Sequence, residues 1–241
     1  TACRGFTMYS YTYVAWQAEL LNDEDLDRAR ETRQRARRLY LRGARYGFRA
    51  LELNNPGLEQ ALMTGPEAAV AHVGAKRPAR EVPLLYWTAA ALGLAISASI
   101  DDAALLARLP EVEAMLDRAL ALDEGWDGGA LHEFKVIVAG SQPGRSGDAA
   151  VIKRHYARAL ELSKGASAGL FVAYAEAVSL PAQDRAEFQS MLERALAVDP
   201  DQQPPNRLAT LVSQRRARWL LGRIDDLILS SEAAKTSGGV R

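Results

Sequence analysis

One short sequence recurs four times along the chain, each time where a helix-forming stretch runs out. It reads RALEL at residues 49–53, RALAL at 118–122, RALEL at 158–162 and RALAV at 194–198. Its alanines, Ala50, Ala119, Ala159 and Ala195, are separated by 69, 40 and 36 residues. The last two intervals lie near the roughly 34-residue period of tetratricopeptide hairpins, and the first is about two such periods. Each copy is followed by Asn, Asp or Ser, and two have a proline soon after (Pro56 and Pro200), as where the second helix of a hairpin stops. A small Ala lets neighbouring helices approach closely, and the flanking leucines fill the groove between hairpins. A single hairpin cannot bury such a face, so hairpins must stack. The fold class expected is therefore all-α: a right-handed superhelical stack of degenerate tetratricopeptide-like hairpins, an α-solenoid. It should form one domain over residues 1–229 with a frayed, small and polar tail at 230–241.

Helical periodicity supports this along most of the length, and strand alternation is almost absent. Residues 25–53 carry Ala29, Ala36, Leu39, Ala50 and Leu53 at helical steps among arginines, which predicts one long amphipathic helix. Asn54-Asn55-Pro56-Gly57 supplies its stop. Short helical pieces are expected at 58–63 and 66–73, with a loop at 76–80. Residues 84–99, LLYWTAAALGLAISAS, are apolar nearly all round and predict a helix packed on several sides. Further amphipathic helices are expected at 112–122, 146–162, 168–178, 183–198 and 206–221. Asp127 is expected to cap a helix after the glycines around it.

Thirty basic residues balance thirty acidic ones, so no global field draws the chain to nucleic acid or anionic lipid. No apolar run is long enough to span a bilayer. Cys3 is the single cysteine, which excludes a disulfide framework or a multi-cysteine metal site within the chain. The chain opens on Thr1 without an initiator methionine or leader and reads as a piece of a longer protein.

The candidate chemical motifs fail on spacing. FKVIVAGSQPGRSG, residues 134–147, resembles a strand entering a phosphate loop. However, Gly140 and Gly144 have three residues between them where a P-loop needs four, and Arg145 stands in place of Lys. An inter-hairpin loop is the better account. His132-Glu133 lacks the second histidine of a zinc-protease helix, and no serine or cysteine sits in a nucleophile elbow. The acids and glycines of residues 123–129 lack the alternating ligands of a calcium loop. No catalytic residue, cofactor or metal is expected, and the chain reads as a binding or scaffold protein. Nine arginines, Arg28, Arg30, Arg33, Arg35, Arg37, Arg38, Arg42, Arg45 and Arg49, crowd one helix. They read first as a solvated, salt-bridged face, with an acidic protein partner as the functional alternative.

Five ordered segments, CRGFTMYSYTYV, VPLLYWTAAALGLAIS, RALALDEGWDGGALHEF, QDRAEFQSMLERALAVDPD and RLATLVSQRRARWLL, resemble the T component (TatT) family of TRAP transporters. The resemblance runs through most of the chain and thins at 63–80 and after 229. It implies a periplasmic lipoprotein with a cryptic tetratricopeptide fold, assembling as a trimer. It further implies docking to the substrate-binding P protein of a TRAP transporter, and handling of a small hydrophobic ligand. The lipid-anchored cysteine would lie upstream of Thr1, together with part of the first hairpin, and Cys3 would be an internal helix residue. Aromatic and polar side chains within these segments give an expected ligand-lining set of Tyr86, Trp87, Trp126, His132, Glu133 and Phe134, since pockets between helices are mostly apolar with a few orienting polar groups. The competing reading has Tyr86, Trp87 and Phe134 filling the core. A cytosolic tetratricopeptide adaptor for a peptide or protein partner is the alternative function.

Overall fold

The computed structural model describes residues 1–141 and 149–229. The expected frayed tail at 230–241 and the Gly144–Arg145 part of the loop lie outside these residues. Among the described residues every regular element is helical, giving an all-α, solenoid-like fold. The chain divides into two compact units, Thr1–Trp126 and Asp127–Arg241, and the domain expected over residues 1–229 is described as these two.

The first unit opens with α1 (Ala2–Tyr9), a π-helical segment (Ser10–Ala15) and α2 (Trp16–Leu21), which pack on the long α3 (Leu26–Glu52). Asp25 caps α3 by accepting from the Arg28 amide. Gly57, in the left-handed region, turns the chain after α3 into the short helices α4 (Leu58–Leu62) and α5 (Pro66–Val70). Next comes α6 (Pro78–Ser97), touched by α1, α3 and α8, then α7 (Ala103–Leu106) and α8 (Leu109–Leu122). The expectation that an apolar helix would sit in mid-stack is thus met: Val82, Leu85, Ala89, Leu92 and Ala95 are fully enclosed. Its start differs. The loop expected at 76–80 gives way to a helix at Pro78, and Pro83 lies inside it. Pro83 lacks the amide that would have met the carbonyl of Ala79, so the helix forgoes one internal hydrogen bond there.

In the second unit α9 (Ala130–Gly140) packs on both α10 (Ala149–Ser163) and α11 (Ala168–Tyr174). A π-helical segment (Ala175–Ser179) extends α11, which packs in turn on α12 (Arg185–Ala197) and α13 (Arg207–Gly222), and α14 (Ile224–Leu227) follows. Within this unit α9 and α11 therefore each meet their own partner and the first helix of the next pair, the packing of stacked hairpins. The reading of residues 134–140 as a loop is overturned, because they form most of α9. Asp127 is not its cap. Gly129, at φ 91°, occupies that position, while Asp127 accepts a hydrogen bond from Asn206 at 3.3 Å.

The four recurring endings close α3, α8, α10 and α12, the second helix of each pair. Ala119, Ala159 and Ala195 are 0%, 2% and 0% exposed, as a stacking seam requires. Gly129 shows how close the approach is: a Cβ there would stand 3.3 Å from the Ala159 Cα and 3.0 Å from the Leu162 Cβ. In the last copy, the side-chain amide of the buried Gln214 donates to the carbonyls of Ala195, Leu196 and Val198, supplying partners at the helix end. The first copy is out of phase. Ala50 is only half-buried, and Leu51 takes the enclosed position.

Candidate functional site

The six expected ligand-lining residues fall into two groups, Tyr86, Trp87 and Trp126 in the first unit and His132, Glu133 and Phe134 in the second. Tyr86 and Trp87 are neighbours on α6, and their rings meet edge-on at 5.0 Å. Trp126, at the single-turn 3₁₀ segment after α8, comes within 4.8 Å of the Tyr86 ring. All three are half-buried, so each has ring surface left over after packing. The Arg4 guanidinium lies 5.3 Å from the Trp87 ring centre, a cation–π contact at one side of the cluster. Cys3, buried in α1, donates its thiol to the Trp87 carbonyl at 3.2 Å, and burial pushes that thiol up to about 11. It is an unreactive internal helix residue.

The second group is chemically different. Phe134 is 5% exposed and sits in the core of its unit. His132 is buried as well, and its Nδ1 lies 2.7 Å from the Nδ1 of His155 on α10, a contact that requires one ring to donate and the other to accept. The Glu133 carboxylate accepts from Ser167 Oγ at 2.5 Å and lies against Gly169, where any side chain would collide with it. Burial pushes Glu133 above the usual carboxylate range; the Ser167 bond opposes the shift and the charge of Asp127 adds to it. α9, α11 and α13 meet at this polar cluster, with Ser213 also beside Gly169.

Two features of the first unit were not evident in the sequence. Arg37 on α3 pairs with Asp102, the cap of α7, at an open cleft of about 400 Å³ that Met63, Leu105, Arg108 and Glu111 also line. Arg108 grips Glu111 through Nε and Nη2 at 2.8 Å each and lies 5.5 Å from the Phe48 ring centre. Arg108 and Glu111 are three residues apart, but the Arg37–Asp102 and Arg108–Phe48 contacts join elements far apart in the chain, and no local spacing announces those. The second feature corrects the reading of the arginine helix as a salt-bridged face. Arg30 pairs with Asp27 and Arg37 with Asp102, but Arg28, Arg35, Arg38, Arg42, Arg45 and Arg49 form no ion pair among the described residues. For all of these but Arg28 the local stretch has no acid to offer: residues 32–51 contain no Asp or Glu.

The sequence pattern of the family described as "TRAP transporter T-component" matches residues 1–228. The chain belongs to that family. A relative from Treponema pallidum (strain Nichols), described only as an uncharacterized protein, is 32% identical over 229 residues, which is 94% of this chain and 70% of the relative. Membership associates the chain with a TRAP transporter, as the resemblance implied. No helix among the described residues is long and apolar enough to cross a membrane. Among the same residues no group of three or more His, Cys, Asp or Glu side chains could hold a metal ion.

Proposed function

We propose that the chain is a non-catalytic periplasmic scaffold that docks the substrate-binding P protein of its TRAP transporter and carries a small apolar ligand on the aromatic cluster of its first unit. In this reading it works as a trimer and is held at the membrane by a lipid on a cysteine upstream of Thr1. The observation that carries it is the family match over residues 1–228. Stacked helix pairs suit the role, since they offer long, rigid faces to a second protein. Titrating the purified P protein of the same transporter into the chain by calorimetry is expected to give saturable binding with no turnover of any substrate. Absence of heat at about 50 µM of both proteins would remove the docking reading.

The ligand reading draws on the half-buried rings of Tyr86, Trp87 and Trp126, which offer stacking surface to an apolar molecule. Native mass spectrometry of gently purified protein is expected to show retained mass. Trp87→Ala combined with Trp126→Ala is expected to abolish it while the helical circular dichroism stays unchanged. An adduct that survives both substitutions would exclude this surface.

A further inference from the structure

We propose that the arginine and tyrosine face formed by α1, its π-helical extension and α3 is where an acidic protein surface docks. The proposal rests on the scaffold reading above, in which that partner is the P protein. Arg35, Arg38, Arg42, Arg45 and Arg49 follow one another at steps of three or four residues, so they form a single stripe down α3. At the rise of an α-helix the stripe is about 21 Å long. All five are exposed, and none has a carboxylate partner among the described residues. Like charges at this spacing repel one another and weaken the helix that carries them. In a chain with no net charge this local excess is uncompensated, and a surface of carboxylates laid along it would neutralise it.

The aromatic residues beside the stripe point the same way. Along residues 7–13 the usual polarity is reversed: Thr7, Ser10 and Thr12 are buried, while Tyr9, Tyr11 and Tyr13 are 46%, 41% and 57% exposed. Phe6 stacks on Tyr46 with 5.6 Å between ring centres, and the Arg42 guanidinium lies 5.0 Å from the Phe6 ring. Tyr9 and Tyr13 meet at 5.7 Å further along the same side of the helix. The arginine stripe and the aromatic row therefore join at Phe6, Arg42 and Tyr46. Tyrosine and arginine are the residues enriched where proteins bind proteins, and lysine is depleted there. The α3 sequence carries nine arginines and no lysine. An anionic lipid surface accepts either cation, whereas the planar guanidinium fork matches a fixed carboxylate. That distinction favours a protein partner.

The test is to titrate the P protein into the chain and into a variant with Arg35→Glu, Arg38→Glu, Arg45→Glu and Arg49→Glu. These side chains are exposed, and circular dichroism would verify the fold. The dissociation constant is expected to rise about a hundredfold or more. A second variant with lysine at the same four positions keeps the charge and loses the fork; it is expected to weaken binding by about tenfold. Wild-type binding should also weaken as salt is raised. Equal affinity of the wild type and the glutamate variant would overturn this face while leaving the scaffold reading intact. Failure of the wild type itself to bind would overturn both. If P-protein binding is unchanged and the glutamate variant instead loses mass by light scattering, the face belongs to a second copy and the proposal is overturned. Unchanged P-protein binding with loss of co-sedimentation on phosphatidylglycerol vesicles would overturn it in favour of a membrane surface.

Discussion

Phe188→Ala is expected to destabilise the second unit by about 3–5 kcal/mol, measured by denaturant unfolding followed by circular dichroism. Phe188 is wholly enclosed on α12, in a cluster with Phe171, Leu192, Ala217 and Leu220 drawn from α11, α12 and α13. Truncation removes the ring's own burial and leaves a hole among three helices. Those helices are fixed elsewhere, by the Gln214 bonds to the end of α12 and by the capping of α12 by Asp184, and cannot collapse into the gap. A loss below about 1 kcal/mol would mean that the three helices do not share one packed core.

The helices legible in the sequence are those packed along one stripe. For α3, α8, α12 and α13 the apolar residues recur at helical steps, and the observed bounds fall within a few residues of those expected. Among the helices that escaped that reading, two did so for different reasons. α9 packs on α10 and α11 together, so its buried residues Phe134, Val136 and Val138 alternate along the chain as in a strand. Pairs two residues apart lie on nearly opposite sides of a helix, and a helix clasped on two sides can bury both. In α1 and its extension the buried positions Cys3, Thr7, Ser10 and Val14 do follow helical spacing. Three of them are small and two are polar, so a search for large apolar residues passes over them. The hydroxyls are satisfied internally: Thr7 donates to the Cys3 carbonyl at 2.8 Å, and Ser10 to the Ala36 carbonyl at 3.0 Å.

The candidate site was legible only as a set of words. Tyr86 and Trp126 are brought together by the packing of α6 on α8, which no spacing within either helix encodes. The pairing of His132 with His155 and the enclosure of Glu133 beside Gly169 depend in the same way on helices that meet only after folding. The arginine stripe was visible from the start. What the sequence lacked was the information that, among the described residues, no carboxylate pairs with Arg35, Arg38, Arg42, Arg45 or Arg49.

Three of the four recurrent alanines are enclosed and the fourth is not, which makes a substitution series the most direct probe of the stacking account. Ala119→Leu, Ala159→Leu and Ala195→Leu each force a larger side chain between close helices, and each is expected to lower the unfolding free energy by about 1–3 kcal/mol. Ala50→Leu places the same side chain at a half-buried position where Leu51 already fills the enclosed one, and is expected to change stability by no more than about 0.5 kcal/mol. Urea unfolding of the four variants side by side decides the matter. Three large losses and one small change are the pattern expected of seams between stacked helix pairs. Four near-neutral substitutions would mean that the recurring endings are merely favourable helix sequence and hold no stack together.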